Sequence, residues 1–130
     1  MRSRTLRRQS MRGAGLLLAI LVAWPGSGAA AALRVVDSVP AAEATIPGRH
    51  KEYFRYFIRF DGPVDHVASH IEITRSGHVV DSLAPRVDTA VDVLFAFGRT
   101  PGPGPYVLHW RAVSTSGEVS TGDIAFSVAP

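Results

Sequence analysis

Five histidines and 11 acidic residues, without a single cysteine, carry most of the reactive chemistry of this 130-residue sequence. His66 and His70 stand four apart, with Asp65 beside the first. On a helical turn that spacing puts two imidazoles on one face, where they can chelate a divalent metal. The plainer reading is a pair of solvated loop histidines, because Pro63 limits helix formation and no third ligand is evident. His78 falls in a hairpin turn, and His50 lies between Arg49 and Lys51, whose charges repel a cation. His109 alternates with core-facing residues and reads as structural, either facing solvent or lying under Arg111 and Glu118. Glu118 offers a carboxylate oxygen to a metal, although alone it would bind weakly and a polar turn residue is the simpler account. Ser114, Ser116, Ser120 and Thr121 surround the same turn, but no G-x-S-x-G elbow or other nucleophile setting accompanies them. The carboxylates are scattered over different segments, and Gly102-Pro103-Gly104 has no following helix to bind phosphate. These residues point away from an enzyme.

The elements that must position these side chains are strands. Tyr106, Leu108 and Trp110 alternate with Val107, His109 and Arg111; after the polar run Ser114–Glu118, Ile124, Phe126 and Val128 alternate again. Two period-two runs broken by a Gly/Ser turn predict an antiparallel pair over Gly104–Val128 with one buried face. Tyr53–Phe60 reads as the central strand, with Phe54, Tyr56, Ile58 and Phe60 on one face, Arg55 and Arg59 on the other, and Phe57 partly covered. Leu33–Val36 is a short strand stopped at Pro40, which cannot donate to a ladder, and Ala41–Lys51 reads as a loop. His70–Thr74 turns Ile71 and Ile73 inward, and Ser76-Gly77 turns the chain into Val79-Val80. Ala90–Phe97 sets Val91, Val93, Phe95 and Phe97 against Asp92, Leu94 and Ala96. Residues 63–70 hold at most one helical turn. About six or seven short strands with no amphipathic helix predict an all-β fold, a small antiparallel Greek-key β-sandwich of immunoglobulin-like type. Trp110 is expected between its sheets.

The first 31 residues read differently. Residues 2–12 hold five arginines and no acid, an apolar run follows from Ala14 to Trp24, and Ala29–Ala32 supplies small residues. Charged start, short apolar middle and Ala-x-Ala exit make a secretory signal peptide over residues 1–31. The apolar run, about 11 residues, is well short of the ~20 needed to span a bilayer. Arg7-Arg8 hints weakly at twin-arginine export, since Ser10 stands where an apolar residue is expected. Without this leader the charge reverses: nine basic residues remain against 11 acids, a net of −2 in place of +3. The basic balance therefore belongs to the leader, and nothing in residues 32–130 argues for nucleic acid. Both methionines, Met1 and Met11, fall in the leader, so residues 32–130 offer a metal no sulfur. With no cysteine, the exported domain is held by its core alone.

Tyr106-Val107-Leu108-His109-Trp110-Arg111-Ala112-Val113-Ser114, followed by Gly122 and Phe126-Ser127-Val128, resembles the CopC-like copper-resistance proteins of the bacterial periplasm. Val36-Asp37-Ser38-Val39-Pro40 is similar to the opening of that family, and Phe60-Asp61-Gly62-Pro63 to its F-S-E-P. The resemblance covers residues 32–130. It implies a seven-stranded Greek-key sandwich in the periplasm that binds Cu(II), is not an enzyme and works as a monomer, as a carrier or as the soluble partner of a membrane copper transporter. In the family Cu(II) is held by an N-terminal histidine and by the Asp and His of a D-x-H turn. Those positions fall here on Ala32, Ser116 and Glu118. The alternative is a metal-free sandwich module that contacts a membrane or periplasmic protein partner.

Overall fold

The computed structural model describes residues 32–49 and 51–130; the leader assigned to residues 1–31, and His50, lie outside the described residues. Eight strands follow one another: β1 (Val35–Val39), β2 (Ala44–Ile46), β3 (Tyr53–Phe60), β4 (His70–Arg75), β5 (His78–Leu83), β6 (Val93–Arg99), β7 (Gly104–Val113) and β8 (Val119–Val128). They form a three-stranded sheet ordered β1-β3-β6 and a five-stranded sheet ordered β2-β8-β7-β4-β5. The chain crosses between sheets on leaving β1, β2, β3, β5 and β6, so the two layers are knitted together by non-local pairings. This is the all-β sandwich that the period-two patterning demands.

The inward faces close the core. Tyr56, Ile58 and Phe60 of β3 meet Ile71 and Ile73 of β4, Leu108 and Trp110 of β7, and Ile124 and Phe126 of β8, all buried. The Trp110 indole sits between the sheets as expected, edge-on to Phe60 with ring centroids 5.1 Å apart. β7 and β8 pair over their whole length, from Gly104 opposite Val128 to Val113 opposite Val119. Trp110 faces Gly122 in that register, and a Cβ at Gly122 would come within 2.5 Å of the indole Cζ2. Only a glycine lets the ring lie against the neighbouring strand here.

Two readings of the sequence change. Ala41–Lys51 is not all loop: Ala44–Ile46 adds β2 to the sheet edge, pairing parallel with β8. Its three residues bury only Ile46, too little pattern to register as a strand. In β6 the inward set includes Leu94 and Ala96, while Phe95 is half-buried and Phe97 exposed. Both sets are apolar, so alternation alone does not select the phase; the outward rings are covered by guanidinium groups, Arg55 over Phe95 at 4.7 Å and Arg86 over Phe97 at 5.4 Å. Phe57 is partly covered in the same way, with Arg55 at 5.9 Å from its ring centre.

Candidate functional site

At one end of the sandwich three segments converge. The β7–β8 turn closes when Ser114 N–H donates to the Glu118 carbonyl at 2.8 Å and Gly117 N–H to the Ser114 carbonyl at 2.9 Å. Gly117 takes a φ of +90°, open to glycine at little cost. The Ser114 hydroxyl accepts from Glu118 N–H at 3.1 Å and shares a hydrogen bond with the Ser116 hydroxyl at 2.9 Å. The connection from β3 to β4 lies against this turn: Asp65 N–H donates to the Val113 carbonyl at 2.7 Å and Thr115 N–H to the Pro63 carbonyl at 3.3 Å. The third segment is the start of the described chain. Leu33 N–H donates to the Ser120 hydroxyl at 2.9 Å, and Arg34 N–H to the Asp61 carboxylate at 2.9 Å. Ala32, next to Leu33, is thereby carried to the β8 strand that leaves the turn bearing Ser116 and Glu118.

This convergence supplies few donors. Of the three positions to which the resemblance points, Ala32 has no ligating side chain, the Ser116 hydroxyl is engaged with Ser114, and the exposed Glu118 contributes the one carboxylate; the nearby Asp61 and Asp65 carboxylates are taken by backbone N–H groups. Cu(II) favours several nitrogen and oxygen donors in a tetragonal array, and this set does not furnish it. No group of three or more His, Asp or Glu side chains converges on a common point among the described residues.

His66 and His70 part company. The Asp65 carboxylate caps the turn between them, accepting from Val67 and Ala68 N–H at 2.9 and 3.0 Å. Ser69 N–H reaches back to the Asp65 carbonyl at 3.2 Å, so a single helical turn does form. His66 Nε2–H donates across to the Ala90 carbonyl at 3.2 Å. His70 has already entered β4, where its Nε2 lies 3.3 Å from Glu72 Oε1 and 3.0 Å from Ser82 Oγ. Of the two expectations for His109 the solvent-facing one holds: its half-exposed ring lies on the outer face of the five-stranded sheet, where Nδ1 meets the Asp123 carboxylate. Glu72 and Asp123 were missed in the sequence because strand neighbours at i+2 and across a ladder are not adjacent in the chain.

The sequence and the fold also match known proteins. A model of the CopC domain matches residues 35–129, nearly the whole described chain. The chain belongs to the CopC family. Its sandwich superimposes on the crystal structure of CopC from Methylosinus trichosporium OB3b with a TM-score of 0.67 at 26% identity, over 75% of this chain and 94% of that one. PcoC, a methionine-rich copper resistance protein from Escherichia coli, gives a TM-score of 0.59 at 23% identity, over 75% of this chain and 99% of its own. No curated protein sequence matches the chain. Against the methionine-rich PcoC, this CopC-family member has no methionine in residues 32–130.

A cleft of about 750 Å³ opens where the edges of β5 and β6 meet; Tyr56, Arg75, Asp81 and Arg99 contribute to its wall. The Tyr56 hydroxyl is buried there without a hydrogen-bond partner. Burial, and then the Asp81 carboxylate, push its ionisation well above the ordinary value of 10.0.

Proposed function

We propose that this CopC-family protein serves copper handling in the periplasm, reached through a leader cleaved near residue 31, and that it is not an enzyme. It acts without the Cu(II) site to which the resemblance points, because Ala32, Ser116 and Glu118 offer one carboxylate among them. The observation that carries this reading is the family match across residues 35–129. A membrane copper transporter is the partner that suits such a role. Growth of the host in graded copper, with and without the gene, tests it: tolerance and periplasmic copper content should fall on deletion. Unchanged tolerance together with unchanged copper content would overturn the assignment.

One observation favours a second reading, a metal-free module that docks on a membrane or periplasmic protein. The outer face of the β1-β3-β6 sheet interleaves arginines with rings: in register Tyr53 faces Arg99, Arg55 faces Phe97, and Phe57 faces Phe95. Tyr53 is 71% exposed and Phe97 44%. Arg55, Arg59, Arg86 and Arg99 form no salt bridge among the described residues. An aromatic and cationic face of this kind complements an acidic partner surface. If docking is the function, Arg55→Glu with Arg99→Glu should mimic deletion of the gene while the sandwich still folds; wild-type copper tolerance in that double variant would exclude it.

A further inference from the structure

β5 and β6 are edge strands, one in each sheet, and the cleft of about 750 Å³ lies where they meet. That volume falls in the roughly 300–1,000 Å³ range of small-molecule sites. At Gly98 of β6, side chains from β3 and β5 come together over bare backbone. A Cβ there would lie 3.0 Å from Asp81 Oδ2 and 3.2 Å from Tyr56 Cε2. Tyr56 is fully buried at this wall, and its hydroxyl has no hydrogen-bond partner. Burial and the Asp81 carboxylate keep the hydroxyl protonated, so it is available as a donor. Buried polar groups are ordinarily hydrogen-bonded, and an exception marks a place where a partner is missing.

Arg75 is held beside this wall in a fixed pose. Its Nη1 donates to the Tyr106 hydroxyl at 3.1 Å, and that hydroxyl donates in turn to the Gly102 carbonyl at 2.8 Å. The guanidinium stacks on the Tyr106 ring, 5.2 Å from its centre. Gly104 gives it room, since a Cβ there would fall 2.8 Å from Nη2. A guanidinium carries several N–H donors, and Nη1 is the one nitrogen of Arg75 with a partner among the described residues. Arg99 lies over the Tyr53 ring at 5.8 Å. Arg75, Arg99 and Asp81 form no salt bridge among the described residues. The charged lining is therefore two cations against one carboxylate, and Tyr53, Val80, Leu83 and Phe97 add apolar wall.

We propose that this cleft binds a small organic carboxylate with an aromatic or apolar body. Arg75 takes the carboxylate, for which the planar fork of a guanidinium is suited. Arg99 adds a second positive charge, and Tyr56 supplies a neutral donor. The body of the ligand lies against Tyr53, Val80 and Phe97. Asp81 limits the negative charge that the cleft accepts, which disfavours a polyanion such as inorganic phosphate. The inference does not rest on copper handling, and it shares with the docking face only Tyr53, Phe97 and Arg99.

The protein, as the expressing cell processes it, is titrated by calorimetry with benzoate, 3-phenylpropanoate, phenethylamine and inorganic phosphate. At least one of the two carboxylates should bind, one per chain, and phenethylamine and phosphate should bind at least tenfold more weakly. Arg75→Gln and Tyr56→Phe should each weaken the carboxylate by about tenfold, through loss of a hydrogen bond to a charged group. Arg75 is exposed and Tyr56→Phe keeps the buried ring, so thermal melts should show both variants folded. No binding of either carboxylate by the wild type would overturn the proposal, as would unchanged affinity in either variant. Tighter binding of phenethylamine would overturn it by making Asp81 the anchor, and equal binding of phosphate by showing an adventitious ion only. These outcomes leave the effect of gene deletion on copper tolerance, and that of the Arg55→Glu/Arg99→Glu variant, untouched, so the readings fail separately.

Discussion

Tyr56 holds a hydroxyl that the fold buries and does not satisfy. Its ring is well placed, 4.9 Å from Phe54 and 6.3 Å from Phe126 between centroids, so the apolar body contributes to the core while the polar tip detracts from it. Tyr56→Phe keeps the ring and removes the unpaired donor; stability at pH 7 should be unchanged or rise by up to about 1 kcal/mol in a urea titration. The sign at high pH follows from its raised pKa. Above the ordinary value of 10.0 the unfolded phenol loses its proton while the folded one keeps it, so stability falls as pH rises past that point. The fall should reach ~1.4 kcal/mol per pH unit, and Tyr56→Phe should remove that contribution from a denaturation series run between pH 9 and about 11. Glu118 gives the opposite kind of residue, exposed and without a salt-bridge partner among the described residues. Glu118→Gln should leave a calorimetric titration of the protein with Cu(II) unchanged; a tenfold loss of affinity in the variant would mean that the turn does hold the metal.

The β7–β8 pair is the element on which the rest is laid. Trp110→Ala should cost about 3–5 kcal/mol, because it deletes a ring packed on Phe60 and leaves a cavity between sheets. Gly122→Ala should cost about 1–3 kcal/mol by overpacking, since the new methyl would fall within 2.5–2.9 Å of three indole atoms. Chemical denaturation reads both, and equal stability of Gly122→Ala and wild type would mean the indole has room to move. These strands were legible in the sequence because at least one arginine, histidine or serine stood between inward residues and fixed the phase of the alternation, as Arg55 and Arg59 do in Tyr53–Phe60, whose limits match β3. β6 was not legible in the same way: Val93, Leu94, Phe95, Ala96 and Phe97 are all apolar, and the arginines that cover the outward rings come from β3 and the loop before β6. β2 was invisible because its pairing with β8 joins residues such as Ala44 and Phe126, a contact no local pattern reports. The candidate site suffered likewise. His66 and His70 were adjacent enough to suggest a chelate, yet the strand that begins at His70 sends it to Glu72, and only the ladder register brings His109 alongside.

At the scale of the whole molecule, charge separates the leader from the sandwich. The full sequence carries +3, and residues 32–130 carry −2 because five of the 14 basic residues lie in the first 31. Within the sandwich Arg55, Arg59 and Arg99 lie on the outer face of one sheet, and the His70–Glu72 and His109–Asp123 pairs, with Arg111 opposite His70, on the outer face of the other. The two outer faces therefore differ in character, one aromatic and cationic, the other carrying histidine–carboxylate pairs. Cleavage of the leader, as proposed, would turn a net cation into a net anion at neutral pH. Protein recovered from the periplasm of an expressing host should therefore have the mass of a chain beginning near Ala32, and should bind an anion exchanger at pH 7.5. Recovery of the intact 130-residue chain, retained on a cation exchanger, would show that the leader stays attached.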